Sequence, residues 1–149
     1  MIGTNTRNLL QRLREVNSDF RVLHSKVDLK ILSELDFYSE PRKSRSAGSK
    51  AVYLAEKNDG ERSLLLQYMP ADSITSKHYH KITIEIFHNL GGTCIVYRNG
   101  KELVLQGRSI EIFPREIHQV KTRDSGALTL IEMIGNPNGL SMDDHFYVS

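Results

Sequence analysis

The stretch His78-Tyr79-His80-Lys81-Ile82-Thr83-Ile84-Glu85, joined much later by His118, decides the reading of this chain. Two histidines at i and i+2 on a strand share one face, because strand side chains alternate with period two. Glu85 comes five residues after His80 and leads into Ile86-Phe87, which again favour a strand. A turn or bulge between them brings the carboxylate back to the same interior. His118 lies in a separate segment, so a folded barrel has to deliver it. Three neutral imidazoles and one carboxylate suit a borderline divalent metal with nitrogen and oxygen ligands. The expected ligands are therefore His78, His80, Glu85 and His118.

Around this stretch, from Lys50 onward, the chain reads as short strands broken by turns, the pattern of an all-β sandwich or barrel. Ala51 to Ala55 is one strand, closed by the turn Asn58-Asp59-Gly60, and Leu64 to Met69 is the next, ending at Pro70. Thr93 to Arg98 and Lys101 to Leu105 flank Asn99-Gly100, a two-residue signal for a tight primed hairpin turn. Strands are expected again at Ser109 to Phe113, His118 to Thr122 and Leu128 to Ile134. Gly135-Asn136-Pro137-Asn138-Gly139 closes the regular part and leaves a tail to Ser149.

The segment His78-x-His80-x4-Glu85-x6-Gly92 resembles the first cupin motif at all four of its positions. Gly107-Arg108-Ser109-Ile110-Glu111-Ile112-Phe113-Pro114-Arg115-Glu116-Ile117-His118 resembles the second, with its end residues at the expected separation. Two departures concern the turn before His118: Phe113 stands where the first proline is usual, and Arg115 where glycine is common. The turn is therefore expected to be made differently. The resemblance spans roughly Leu64 to Ile134. It implies a mainly β, double-stranded β-helix or jelly-roll (cupin) barrel with the metal inside it.

Composition narrows the function classes. At 149 residues the chain has the length of one domain, with a hydrophobic fraction of 39% that suffices for a core. A net charge of +2, with no basic stripe interleaved with aromatics, argues against nucleic acid. The one cysteine, Cys94, excludes an internal disulfide framework and fits a reducing compartment. It sits in a strand-like run, as a buried inert thiol would. No segment has the apolar length of a membrane span, so no membrane partner is expected and the default location is cytoplasmic.

The first third is organised differently. Leu9, Leu10, Leu13 and Val16 recur at helical spacing after the caps Thr4-Asn5-Thr6, predicting an amphipathic helix over about 5–16. A second helical turn is expected from Asp28 to Leu35, and Ser39 to Lys50 reads as an exposed linker rich in Ser, Lys and Arg. We divide the chain into an N-terminal helical arm and linker, 1–45, and a cupin barrel domain, 46–149. An apolar stripe on the arm is ordinarily core, a helix packed on the barrel, with a lid or dimer-forming element as the other reading. Sheet edges need covering, and closed twofold symmetry is the commonest oligomer, so a homodimer is expected.

Other residues are candidates for the pocket. Gln67 and Glu132 are polar residues in apolar strands, which need a partner or a function when buried. Both are candidate catalytic residues. Tyr53, Tyr68 and Phe87 are candidate cavity linings. His88 falls on the strand face opposite Glu85 and suits an exterior or inter-subunit place, while His24 and His145 have no partner spacing.

Three imidazoles and a carboxylate leave one or two positions open on an octahedral ion, where a small molecule binds through oxygen and is polarised. Ligand type does not separate Fe, Mn, Ni, Zn and Cu. The expected function is a metal-dependent enzyme acting on a small polar metabolite bound in the barrel. Sugar or sugar-phosphate isomerisation is its sharper form, with Glu132 moving the proton. That form rests on Ser63 to Gln67, Leu130-Ile131-Glu132 and Asp143-Asp144, which resemble the cupin part of mannose-6-phosphate isomerase-type proteins. The chain lacks that family's arginine between the second histidine and the glutamate. An iron-dependent dioxygenase and a non-catalytic metal- or metabolite-binding module are the alternatives.

Overall fold

The structure, a computed structural model, describes residues 34–44, 49–140 and 142–148 and the single position 11. Among the described residues eleven strands form two antiparallel sheets. They are β1 (Asp36–Lys43), β2 (Val52–Asp59), β3 (Arg62–Met69), β4 (His78–Tyr79), β5 (Ile84–Gly92), β6 (Cys94–Arg98), β7 (Lys101–Leu105), β8 (Ser109–Ile112), β9 (His118–Lys121), β10 (Ala127–Ile134) and β11 (Phe146–Tyr147). The first sheet runs β1-β2-β3-β10-β5-β8 and the second β11-β4-β9-β6-β7. This is the double-sheet jelly-roll arrangement expected from the motifs.

Local chemistry explains the turns. At the β6–β7 hairpin Asn99 (φ 50°) and Gly100 (φ 81°) both take positive φ, as a type I′ turn requires. Gly92 (φ 68°) ends β5 where a Cβ would overlap the Gly126 carbonyl oxygen, so the motif glycine is a packing requirement. The turn before His118 corrects the expectation of a different turn. Arg115 itself takes the left-handed conformation (φ 71°) in which a glycine is strain-free, and its N–H donates to the His80 carbonyl at 2.6 Å.

Strands β3 and β10, in the middle of the six-stranded sheet, are buried on both faces over most of their length, which is why they read as apolar runs rather than clean alternations. Inward, Met69, Phe87, Ile112, Ala127 and Ile131 pack against Cys94, Val96, Leu105 and Val120 of the second sheet. Outward, Leu54, Leu64, Leu66, Tyr68, Leu128 and Leu130 form a second cluster with Leu35. Truncating one of these fully buried leucines to alanine costs about 2–5 kcal/mol. Tyr68 belongs to this outer cluster and not to the cavity, correcting one expected lining residue. A second correction concerns Asp36–Lys43, which is strand β1 paired with β2 where Ser39 onward read as linker. Tyr38 is buried on that strand, and partly buried Phe37 packs on the outer cluster, so the apolar pair outweighs the polar composition that follows.

The helix expected over 5–16 lies, apart from position 11, outside the described residues, as does most of the turn expected at Asp28 to Leu35. Among the described residues no helix is long and apolar enough to cross a membrane.

Candidate metal centre

The two sheets each contribute to one cluster. His78 on β4 lies directly opposite His118, the first residue of β9, so two imidazoles of the second sheet are cross-strand neighbours. Glu85 projects from β5 of the first sheet, and His80 sits on the connection between β4 and β5. All four side chains are buried, and one ligand atom from each lies within 4.8 Å of the others.

The backbone settles which ring nitrogens face the centre. His78 Nδ1 lies 2.8 Å from the Ser76 carbonyl, His80 Nδ1 2.7 Å from the Asp144 carbonyl and His118 Nδ1 3.0 Å from the Glu116 carbonyl. A carbonyl oxygen only accepts, so each Nδ1 carries the proton and donates it. In the neutral rings each Nε2 is then a bare lone pair. His80 Nε2 is 2.9 Å and His118 Nε2 3.2 Å from the Glu85 carboxylate. Despite these distances neither contact has hydrogen-bond geometry, and His80 Nε2, His118 Nε2 and Glu85 Oε2 remain buried without a hydrogen-bond partner. Converging acceptors with no donor between them are costly unless a cation takes their electrons. The donor set therefore fits a divalent metal, with the outer nitrogens held by carbonyls as second-layer partners of metal-bound histidines are.

The charges of the cluster are coupled, and a proton on His80 beside Glu85 occupies the place that a cation would take. Burial, helped by His118 and His145, lowers His78 to about 3 against the opposing pull of Glu85, so its ring is neutral. Burial pushes the Glu85 carboxyl up, but His80 and His118 outweigh it and hold the group well below the usual range. Burial also works against a charged His80, and the Glu85 carboxylate overcomes it and raises the group. The centre thus keeps its carboxylate ionised, the form that ligates.

A further partner comes from the tail. Asp144, in the 3-10 turn Met142–Asp144, accepts hydrogen bonds from Lys81 N–H (2.8 Å), Ile82 N–H (3.0 Å), Thr83 N–H (2.9 Å) and the Thr83 hydroxyl (2.7 Å). These bonds shape the bend between His80 and Glu85, the turn that the five-residue spacing required. The same residue's carbonyl orients His80. Next to it, His145 stacks on His78 with ring centroids 3.9 Å apart and lines the cavity. Burial and the charge of His80 lower His145 to about 4, so this ring too is neutral. β11 then pairs with β4, fixing the tail beside the cluster.

The remaining candidates divide. Gln67 is buried and lines a cavity of about 220 Å³ that opens onto the cluster, together with Tyr53 and Phe87. Glu132 is a correction. It projects from the other face of β10, where Arg62 Nε (2.6 Å) and His88 Nε2 (3.3 Å) hold its two oxygens, so it has no access to the cavity chemistry. His88 faces away from the centre as expected, its Nδ1 2.7 Å from the Ser109 hydroxyl. Sequence reasoning missed Asp144 and His145 as site residues. No spacing rule connects them to the motif, since 61 to 64 residues separate Asp144 from its partners.

No family model matches this chain, and no curated protein matches it. Solved structures do. The lyase DddQ, described as a DMSP lyase, from Ruegeria pomeroyi aligns with TM-score 0.58 at 17% identity, over 83% of this chain and 70% of that one. A predicted oxalate decarboxylase from Thermotoga maritima aligns with TM-score 0.56 at 19% identity, over 77% of this chain and 99% of that one. The cupin domain of Schizosaccharomyces pombe Cnp3 aligns with TM-score 0.52 at 14% identity, over 58% and 66%. The fold is the one these solved structures share, that of a cupin domain, and it carries a buried three-histidine, one-glutamate cluster.

Proposed function

We propose that this chain is a metal-dependent enzyme acting on a small polar metabolite, with a divalent ion held by His78, His80, Glu85 and His118. The observation that carries this reading is the set of three imidazoles whose Nδ1 protons are committed to backbone carbonyls, leaving Nε2 lone pairs aimed at an ionised Glu85. When bound, the ion supplies Lewis-acid polarisation of a ligand oxygen. The chain's residues do the rest. The 220 Å³ cavity restricts the ligand to a small molecule, and Phe87, Leu65 and Ile131 line its middle with apolar surface. His145, a neutral imidazole on the cavity wall outside the four-ligand set, is placed to exchange a proton with a bound ligand. It takes the role that Glu132 cannot fill.

Isomerisation of a sugar or sugar phosphate remains the sharper form of the proposal. That two structural neighbours are described as a lyase and a predicted oxalate decarboxylase supports metal-assisted chemistry on small polar molecules as the general class. Elemental analysis of the freshly purified protein tests the metal, with stoichiometric ion expected in wild type and sharply less in His80→Ala. Equal metal in both would show that the ligands are wrongly assigned. Assays of sugar phosphates and small hydroxy and keto acids with added divalent ions test the chemistry. A metal-loaded protein that binds such compounds without turnover would make this a binding module instead.

A further inference from the structure

The cavity has a second polar pole, and strand register defines it. Arg42 pairs with Tyr53, Tyr53 with Gln67, and Gln67 with Thr129, so four polar side chains form one row across β1, β2, β3 and β10. Each of the four also lines the cavity. The row next to the metal centre is Met133, paired with Glu85. Thr129 and Met133 are four residues apart on β10, which separates the two rows by roughly 13 Å. Between them lies the apolar row Leu65, Ile131 and Phe87.

Two features of this row point to a ligand. Gln67 is 6% exposed, lines the cavity and has no hydrogen-bond partner for its amide among the described residues, so the amide is open to a molecule that enters the cavity. The Arg42 guanidinium lies 3.8 Å from the centre of the Tyr38 ring and has no carboxylate partner among the described residues. Stacking fixes the plane of the guanidinium and leaves its edge N–H groups for an anion. The Tyr53 hydroxyl is 3.3 Å from the Ser44 hydroxyl, on the same rim. Glu56, paired with Leu65 in the middle row, also lines the cavity and disfavours a second negative charge between the poles.

We propose that the row Arg42–Tyr53–Gln67 recognises a carboxylate, so that the ligand is an elongated small acid. Its carboxylate meets the guanidinium fork and the Gln67 amide, its middle is apolar or uncharged, and its far end presents oxygen atoms to the metal centre. This deepens the metal-dependent reading and rests on it only for the far end. A planar carboxylate matches a fork and an amide better than a tetrahedral phosphate does.

The test is calorimetric titration of metal-analysed protein with oxalate, succinate, glutarate, adipate, hexanoate and 4-phosphonobutyrate. Expected are tighter binding of glutarate or adipate than of oxalate, and a loss of at least about tenfold for the long acids in Arg42→Gln and Gln67→Glu, with oxalate unchanged. Arg42 is exposed, so its replacement leaves folding intact, and Gln67→Glu keeps the shape while reversing the charge preference. Length preference unaltered by both variants would overturn the row. Tighter binding of 4-phosphonobutyrate than of glutarate, lost with Arg42, would overturn the carboxylate assignment. If the protein takes up no metal, the ligand reading of the cluster fails separately. The row is then judged by hexanoate, whose Arg42-dependent binding supports it and whose Arg42-independent binding or failure to bind overturns it.

Discussion

Replacing Asp144 by asparagine is the substitution that most directly tests how the tail builds the centre. The carboxylate takes four hydrogen bonds: Lys81 N–H at Oδ1, and Ile82 N–H, Thr83 N–H and the Thr83 hydroxyl at Oδ2. Bonds to a charged acceptor contribute about 1.5–3 kcal/mol each, and neutral ones about 0.5–1.5. An asparagine with its oxygen in the Oδ2 place keeps three bonds in weakened form and turns its NH₂ against the Lys81 N–H. Lys81 and Ile82 are exposed, so water recovers part of the loss. The expected net destabilisation is about 2–4 kcal/mol, read as a lowered midpoint in urea. The bend also positions His80, whose Nδ1 is held by the same residue's carbonyl, so metal affinity should fall by about 10–100-fold in a competition titration against a chelating dye.

The pH dependence has a definite sign. Burial pushes the Asp144 carboxyl up, but Thr83, Ile82 and Lys81 outweigh it and hold the group below its ordinary value. Its contribution is therefore present above the unfolded carboxyl range, near pH 4, and is lost as pH falls through the folded value. The stability gap between wild type and Asp144→Asn should be constant near neutrality and close in acid. A variant with wild-type stability and wild-type metal affinity would refute the reasoning.

Three more outcomes follow from particular residues. Arg115→Gly should be stabilising by up to about 1 kcal/mol, because the left-handed conformation costs a side-chain residue about 1–2 kcal/mol and glycine's greater unfolded freedom returns only part of it; a lowered denaturation midpoint would show that the arginine side chain matters. Burial pushes the Cys94 thiol up to about 11, so iodoacetamide at pH 8 should label the native protein far more slowly than the unfolded chain, and rapid native labelling would contradict the packing around β6. We further propose a homodimer, to be read by light scattering, with deletion of residues 1–16 reporting whether the arm makes the interface; a monomeric mass for the intact chain would end that proposal.

The sequence by itself determined the four-residue cluster and the barrel, and the reason is local. Period-two alternation puts His78 and His80 on one face, Asn99-Gly100 specifies a primed turn, and Gly92 stands at its motif position because a Cβ there would overlap the Gly126 carbonyl, while His118 falls opposite His78. Strands dense in leucine and isoleucine were legible for the same reason. Only the tertiary structure decided the rest. Gln67 and Glu132 looked alike in sequence, each a polar residue in an apolar strand. One turns into the cavity and the other is held outside by Arg62 and His88, because β3 and β10 are buried on both faces over most of their length and apolar patterning there no longer tells inside from outside. Asp144 and His145 reach the centre from a tail whose composition carries no periodic signal. Their roles follow from β11 pairing with β4, a contact between segments distant in sequence that no local propensity encodes.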